Sequence, residues 1–225
     1  MPSTTLPTDL GVLADRVFAA VLFDMDGTLI DSTPSVNRSW RRWAEEFGVD
    51  LLSLAGKHGI PAAQVMGELV PAARLREAVE RIEQIEIADV EGILVLPGAA
   101  EALAALPAGR AAIVTSCAWA LATARIAATQ LVAPAVIVTA DQVLQGKPDP
   151  APYRLGAEKL GVDPADCLVV EDAPAGLMSG RAAGAFRLAL STTHTPDELE
   201  ADAIVANLDA VRFEVVPDGI RVRLA

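Results

Sequence analysis

Two aspartates, Asp24 and Asp26, lie two residues apart just after the apolar run of residues 17–22, and Gly27 follows at once. An apolar run of this length is typical of a buried strand. Two acids at its end repel each other, and each raises the pKa of the other. A bound cation would remove this cost, and a hard divalent cation prefers oxygen ligands. The spacing therefore predicts a metal-carboxylate site at the carboxyl edge of a sheet, where open α/β folds bind their ligands.

Three other predicted strand ends carry polar residues that suit an anionic ligand. Ser116 follows one strand and precedes a helix, so its hydroxyl and the nearby N–H groups could bind an anion. Lys147 lies in a turn-rich Gly-Lys-Pro loop and offers a compact positive charge suited to a phosphate. Glu171 and Asp172 end another strand. Each signal is weak alone, but parallel strands bring their carboxyl ends to one crevice, so we predict that these residues form a single cluster.

The elements that must position these residues alternate between short apolar, β-branched runs and longer helical patterns. This alternation predicts an α/β fold, a Rossmann-like and mostly parallel sheet flanked by helices. The nearly continuous apolar strands fit burial on both faces of the sheet. The predicted strands are residues 17–23, 111–115, 135–139, 167–171, 186–190 and 203–206, and the predicted helices are residues 98–106, 118–131, 150–160 and 175–183.

Residues 34–97 break this rhythm, because they contain no convincing strand. Trp40, Trp43 and Phe47 recur at helical spacing and are interpreted as packing residues of a helical insert rather than as a binding platform. We therefore predict two domains: a discontinuous α/β core domain of residues 1–32 and 98–225, and a helical domain of residues 33–97.

The tail of the chain, residues 211–224, alternates apolar and polar residues on both sides of Pro217, Asp218 and Gly219. Alternation around a turn of this composition predicts a C-terminal β-hairpin. We interpret the hairpin as an addition at an edge of the sheet, remote from the chemistry.

The bulk composition narrows the possible partners. The 225 residues are 52% hydrophobic and 21% charged, as expected for a compact protein with one large domain or a core with a smaller insert. A net charge of -12 argues against a general nucleic-acid surface, which needs a basic face. No apolar stretch approaches the length of a membrane span, and the first residues lack a signal-peptide pattern. With only two cysteines, a reducing cytoplasm is the expected setting.

The segments that carry chemistry resemble the motifs of the haloacid dehalogenase superfamily of phosphohydrolases. The stretch Asp24-Met25-Asp26-Gly27-Thr28 is similar to the first motif, Asp-x-Asp-Gly-Thr, and Ser116, Lys147 and the pair Glu171-Asp172 match the second, third and fourth. The resemblance covers residues 17–206. Segments 146–150 and 170–176 resemble the subfamily with an α-helical cap after the first motif, and the predicted insert of residues 33–97 stands where that cap belongs.

The resemblance implies a catalytic role for each acid. Asp24 would be the nucleophile that forms an aspartyl-phosphate, and Asp26 would be the general acid/base. Asp24 and Asp172 would bind Mg²⁺ together with the backbone carbonyl of Asp26, and Glu171 would hold a metal-bound water. An acid at position 26 argues against dehalogenation, because a halide leaves without a proton.

The residues that would bind the substrate lie in both parts of the chain. The resemblance implies that Ser116 and Lys147 bind the transferring phosphoryl group. Lys57 and His58, in a loop of the cap, would hold the phosphate or hydroxyls of the substrate when the cap closes, although a solvated loop between helices is the alternative interpretation.

Within the capped branch, the chain is most similar to phosphatases of small sugar phosphates and polyol phosphates such as glycerol phosphate. The resemblance therefore implies a Mg²⁺-dependent phosphatase that acts on a small phosphorylated metabolite, as a monomer or weak dimer. Two alternatives stay open: a phosphomutase of the β-phosphoglucomutase kind, and a phosphonatase that would use Lys57 to form an imine.

Overall fold

The protein folds around one central sheet in a computed structural model that describes residues 9–54 and 62–225. In chain order the elements are β1 (Ala20–Phe23), β2 (Ile30–Asp31), α1 (Thr33–Phe47), α2 (Ala62–Leu69), α3 (Leu75–Ala88), β3 (Leu94–Val95), α4 (Ala99–Ala104), β4 (Ala111–Val114), α5 (Trp119–Thr129), β5 (Val136–Val138), α6 (Ala151–Leu160), β6 (Cys167–Glu171), α7 (Pro174–Ala183), β7 (Phe186–Leu190), β8 (Ala203–Val205), β9 (Val211–Val216) and β10 (Gly219–Leu224).

The central sheet has six strands in the order β5-β4-β1-β6-β7-β8, and all neighbours are parallel. Alternate residues of β1 enter opposite hydrophobic clusters: Val21 and Phe23 pack on one face, and Ala20 and Leu22 pack on the other. Burial on both faces explains why these strands are nearly continuous apolar runs. The predicted Rossmann-like α/β fold is confirmed.

Strand β1 lies at the point where the strand order reverses. Its neighbours are β4 on one side and β6 on the other, although β4 follows it in the chain and β6 comes later still. The connection that leaves β1 runs toward β4, whereas the connection that leaves β6 runs toward β7, in the opposite direction across the sheet. A crevice opens at the carboxyl ends of strands at such a reversal, and open α/β sheets bind ligands there.

Helices α1, α2 and α3 of the insert share a hydrophobic cluster of their own, separate from those of the sheet. Trp43 is fully buried in it and donates an indole hydrogen bond to the carbonyl of Ala78 at 3.0 Å. Phe47 stacks on the ring of Trp43 at a centroid distance of 4.9 Å, and Trp40 contacts that ring edge-on. These aromatic residues therefore pack the insert, as the helical spacing predicted.

The structure corrects the expectation that residues 34–97 contain no strand. Leu94–Val95 forms β3, which pairs antiparallel with β2 at Ile30–Asp31. Strands of two residues carry no detectable alternation, so the pattern could not reveal them. The pairing joins the two chain segments that lead into and out of the insert.

The predicted hairpin forms, but its predicted position at an edge of the sheet is wrong. Within the part of the chain that the structure describes, strands β9 and β10 form a separate two-stranded sheet, and an isolated bridge joins Ile220 to Phe18. Phe213 meets the ring of Phe23, in the central strand β1, at a centroid distance of 5.8 Å. The hairpin thus covers one face of the central sheet, because its apolar side contributes to the main hydrophobic cluster.

No helix within the described ranges is both long enough and apolar enough to cross a membrane.

Candidate active site

Residues from three separate segments converge at the carboxyl ends of β1 and β6. Asp24 follows β1, Glu171 ends β6, and Lys147 reaches them from the loop before α6. The ammonium group of Lys147 donates hydrogen bonds to Asp24 Oδ1 at 2.6 Å, to Glu171 Oε1 at 2.7 Å and to the carbonyl of Val114 at 2.8 Å. Three acceptors around one buried ammonium account for all of its donors.

Asp24, Glu171 and Asp172 form a buried acidic cluster in which one carboxylate oxygen from each residue lies within 4.8 Å of the others. Among the described residues, Lys147 is the one cation that forms ion pairs with these acids, so the cluster carries excess negative charge when all three are ionised. A set of carboxylate oxygens suits a hard divalent cation such as Mg²⁺. The arrangement therefore fits a metal site held by these three residues.

Burial and the charges of neighbouring groups shift the pKa values of Asp24, Asp172 and Lys147. Burial raises the pKa of Asp24 well above its ordinary value; Lys147 opposes the shift, and Glu171 and Asp172 add to it. Burial and the charge of Glu171 raise the pKa of Asp172 to about 7. Burial lowers the pKa of Lys147, but the charges of Asp24 and Glu171 outweigh it and the net shift is upward. A bound cation would lower the pKa of both aspartates by stabilising their ionised forms.

Neighbouring hydroxyls hold the two acids of the fourth motif in place. Asp172 accepts hydrogen bonds from the hydroxyl of Thr28 at 3.0 Å and from the hydroxyl of Thr193. Glu171 accepts one from the phenol of Tyr153 at 2.9 Å and two from backbone N–H groups. Such partners fix the orientation of carboxylates that bind a metal.

Two glycines leave room for the carboxylates. Gly27 has a φ of +91°, and a Cβ atom there would overlap the carboxylate of Asp172. A Cβ atom at Gly176, in the first turn of α7, would overlap the carboxylate of Glu171. Close approach therefore requires glycine at both positions, and at Gly27 the positive φ requires it as well.

We expect Gly176→Ala to lower the free energy of unfolding by about 1–3 kcal/mol, because the new methyl group must displace Glu171 from a packed position. The matched control is Gly67→Ala in α2, where a Cβ atom meets nothing within 4 Å. Alanine favours a helix interior over glycine by about 1 kcal/mol, so the control should be stabilised. Urea unfolding of both variants checks the prediction, and equal shifts in the two would contradict it.

Asp26 points to a different set of partners from Asp24. Its carboxylate accepts a hydrogen bond from Arg125 Nη1 at 2.8 Å and one from the thiol of Cys117 at 3.2 Å. Burial and the charge of Asp26 raise the pKa of the Cys117 thiol well above its ordinary value, which keeps it protonated. The Asp26 side chain is not a member of the acidic cluster found among the described residues. Metal binding through its backbone carbonyl stays a prediction.

Ser116, Lys57 and His58 complete the set of predicted site residues. Ser116 is exposed in the segment between β4 and α5, and its role in binding a phosphoryl group stays a prediction. Lys57 and His58 lie outside the described residues.

Sequence reasoning assigned no role to Thr28, Thr193, Tyr153 or Arg125. Thr28 is the last residue of the first motif, and this position marks it as a candidate site residue. Arg125 is a charged residue in an otherwise mostly apolar helix, and this contrast also indicates a specific role. Thr193 and Tyr153 contact the acids from distant parts of the chain, and no local pattern marks them.

A sequence profile of haloacid dehalogenase-like hydrolases matches residues 18–184. The chain belongs to this family, and the predicted hydrolase is confirmed. It is 42% identical over 205 residues to hexitol phosphatase A of Escherichia coli (strain K12), with 88% of this chain and 95% of that protein covered.

Two further similarities are informative. Glycerol-1-phosphate phosphohydrolase 1 of Saccharomyces cerevisiae is 34% identical over 232 residues, with 94% of this chain and 89% of that protein covered. A solved structure of a putative beta-phosphoglucomutase from Thermotoga maritima is 28% identical and has a TM-score of 0.62, with 85% of this chain and 95% of that chain covered. The predicted resemblance to sugar-phosphate and glycerol-phosphate phosphatases is confirmed.

Proposed function

We propose that this protein is a Mg²⁺-dependent phosphatase that hydrolyses a small sugar phosphate or polyol phosphate through an aspartyl-phosphate at Asp24. The observation that carries the proposal is the contact of Lys147 with both Asp24 and Glu171 beside Asp172. In the proposed reaction, this arrangement would supply a nucleophile, a fixed positive charge and a set of metal ligands in one crevice. Phosphoryl transfer depends mainly on such positioning and charge stabilisation.

The proposed reaction has two steps. In the first, a carboxylate oxygen of Asp24 attacks phosphorus, the bond from phosphorus to the ester oxygen breaks, and Asp26 gives its proton to that oxygen. In the second, water attacks phosphorus and passes a proton to Asp26, and the bond from phosphorus to Asp24 breaks to release phosphate. Splitting hydrolysis in this way replaces one difficult step by two easier ones.

The other residues supply charge and orientation. Lys147 would contact an oxygen of the transferring group, since its ammonium already lies beside the nucleophile. Asp24, Asp172 and Glu171 would hold Mg²⁺, which supplies positive charge to the phosphoryl oxygens when it is bound. Thr28, which donates to Asp172, would keep a metal ligand in position.

The substrate class rests on the relatives. Hexitol phosphatase A and glycerol-1-phosphate phosphohydrolase 1 both carry names of polyol phosphate phosphatases, and each covers most of this chain. We propose that residues 33–97 form a cap over the crevice and that Lys57 and His58 contact the hydroxyls or phosphate of the substrate. We also propose a cytoplasmic setting, a small phosphorylated metabolite as the partner, and a monomer or weak dimer.

A phosphomutase is the second candidate, favoured by the similarity to the putative beta-phosphoglucomutase. It would pass the phosphoryl group from Asp24 to a sugar hydroxyl instead of to water. The two candidates differ in their product.

The test is a panel of hexitol phosphates, glycerol phosphate, hexose phosphates and phosphoglycolate, assayed with Mg²⁺ and with EDTA. We expect phosphate release to be fastest on a polyol or sugar phosphate and to disappear in EDTA. Isomerised sugar phosphate without phosphate release would favour the mutase. Turnover that is unchanged in EDTA would contradict the metal requirement.

A further inference from the structure

Arg125 is a buried cation that stands between the sheet and the insert. It belongs to α5, and its side chain is only 4% exposed. One nitrogen, Nη1, lies 2.8 Å from Asp26 Oδ1, and the other, Nη2, lies 3.6 Å from Glu86 Oε1. Glu86 comes from α3, the last helix of the insert, and its side chain is 14% exposed. A single guanidinium thus links the crevice of the core to the insert.

The contact with Asp26 fixes the direction of its carboxylate. Arg125 Nη1 and the thiol of Cys117 engage different oxygens of Asp26, so both oxygens are held. Cys117 Sγ also lies 3.2 Å from Arg125 Nη1, which closes a triangle of three side chains. A planar guanidinium loses little freedom when it binds a carboxylate, and it is therefore well suited to hold one in a single orientation.

The contact with Glu86 is less complete. Among the buried side chains that the structure describes, Arg125 Nε and Nη2 have no hydrogen-bond acceptor. At 3.6 Å the oxygen of Glu86 is attracted by the guanidinium charge but lies beyond a good hydrogen bond. A small approach of α3 to α5 would complete the bond, so the energy of this pair depends on where the insert sits.

We propose that Arg125 is a positioning residue for Asp26, and that Glu86 makes this positioning depend on the placement of the insert. The inference rests on the proposed phosphatase reaction, in which Asp26 must give a proton to the leaving oxygen. In this proposal Arg125 acts through its contact with Asp26 and does not bind the substrate itself. It holds the proton donor at the crevice, and the Glu86 contact is strongest when the insert approaches the core.

The leaving group separates this role from a structural one. An alkyl phosphate releases a strongly basic alkoxide that needs a proton from Asp26, whereas p-nitrophenyl phosphate releases a nitrophenolate that needs none. The value of kcat/KM reports phosphoryl transfer to Asp24 but not the later hydrolysis. Loss of a positioned proton donor should therefore lower kcat/KM on glycerol phosphate or a hexitol phosphate far more than on p-nitrophenyl phosphate.

We expect Arg125→Met to lower kcat/KM on the alkyl phosphate about 100-fold, the lower end of the usual contribution of acid-base catalysis, and on p-nitrophenyl phosphate less than about threefold. Arg125→Lys keeps one cation near Asp26 and should recover part of the loss. Glu86→Gln should lower kcat/KM by a smaller factor, and the loss should again be larger on the alkyl phosphate than on p-nitrophenyl phosphate. Because Arg125 is buried, the Lys and Gln variants decide the question if the Met variant does not fold.

The matched control is Arg187→Met. Arg187 pairs with Asp202 at 3.0 Å at the amino end of β7, on the opposite edge of the sheet, and is 14% exposed. The Arg187→Met variant should leave the ratio of the two kcat/KM values unchanged.

Three outcomes would overturn a claim. Equal losses on both substrates in the Arg125 variants would show a structural role. An unchanged Glu86→Gln variant would remove the link to the insert. A wild-type protein inactive on both substrates would contradict the proposed function itself.

Discussion

Asp24→Asn is expected to lower kcat for phosphate release by about 10⁵-fold or more. The reason is that the side-chain amide cannot form the aspartyl-phosphate through which the proposed hydrolysis proceeds. The measurement is phosphate release from the best substrate of the panel in the presence of Mg²⁺. Retention of full activity would refute the assignment of the nucleophile, whatever the substrate proves to be.

The stability of the same variant shows whether the loss is chemical. Asparagine has nearly the same shape, and Lys147 keeps Glu171 and the carbonyl of Val114 as acceptors. Burial and two neighbouring acids already raise the pKa of Asp24, which means that this environment disfavours the carboxylate. The metal-free variant should therefore unfold at the same urea concentration as the wild type or at a higher one. Asp202→Asn, which alters an acid beside Arg187 on the opposite edge of the sheet, should retain full turnover.

Lys147→Met is expected to reduce both stability and activity. Removing the ammonium leaves Asp24 and Glu171 buried without their shared partner, and breaking such a buried ion pair costs about 3–5 kcal/mol. Turnover should fall by about 10³-fold, because a positive charge beside the transferring phosphoryl group is lost. Urea unfolding and the phosphatase assay measure the two effects.

Magnesium distinguishes the two effects in this variant. The cation would neutralise part of the acidic cluster, so the loss of stability should be smaller in Mg²⁺ than in EDTA. The loss of activity should persist, because the metal cannot replace the hydrogen bonds that Lys147 would make to the phosphoryl group. Lys159→Met, at an exposed position in α6, is the matched control and should change neither property. Wild-type stability and activity in Lys147→Met would contradict the proposed site.

Much of the fold was predictable because strands and helices each impose a characteristic spacing on the apolar residues of the sequence. The strands at Cys167–Glu171 and Phe186–Leu190 have the predicted bounds, and the others differ from the prediction by three residues or fewer at each end. Strands β2 and β3 were not predicted, because a strand of two residues is too short to show an alternation of apolar and polar residues. The hairpin was recognised from its alternation, but alternation does not show which surface the apolar side will cover.

The convergence of Asp24, Lys147 and Glu171 was predictable from the order in which these residues follow the strands along the chain. Parallel strands point the same way, so residues that follow their carboxyl ends must meet at one edge of the sheet. The contact of Asp26 with Arg125, and of Arg125 with Glu86, depended on how α3 packs on α5. Helix packing is set by side-chain shape across long separations in the chain, which no local pattern records.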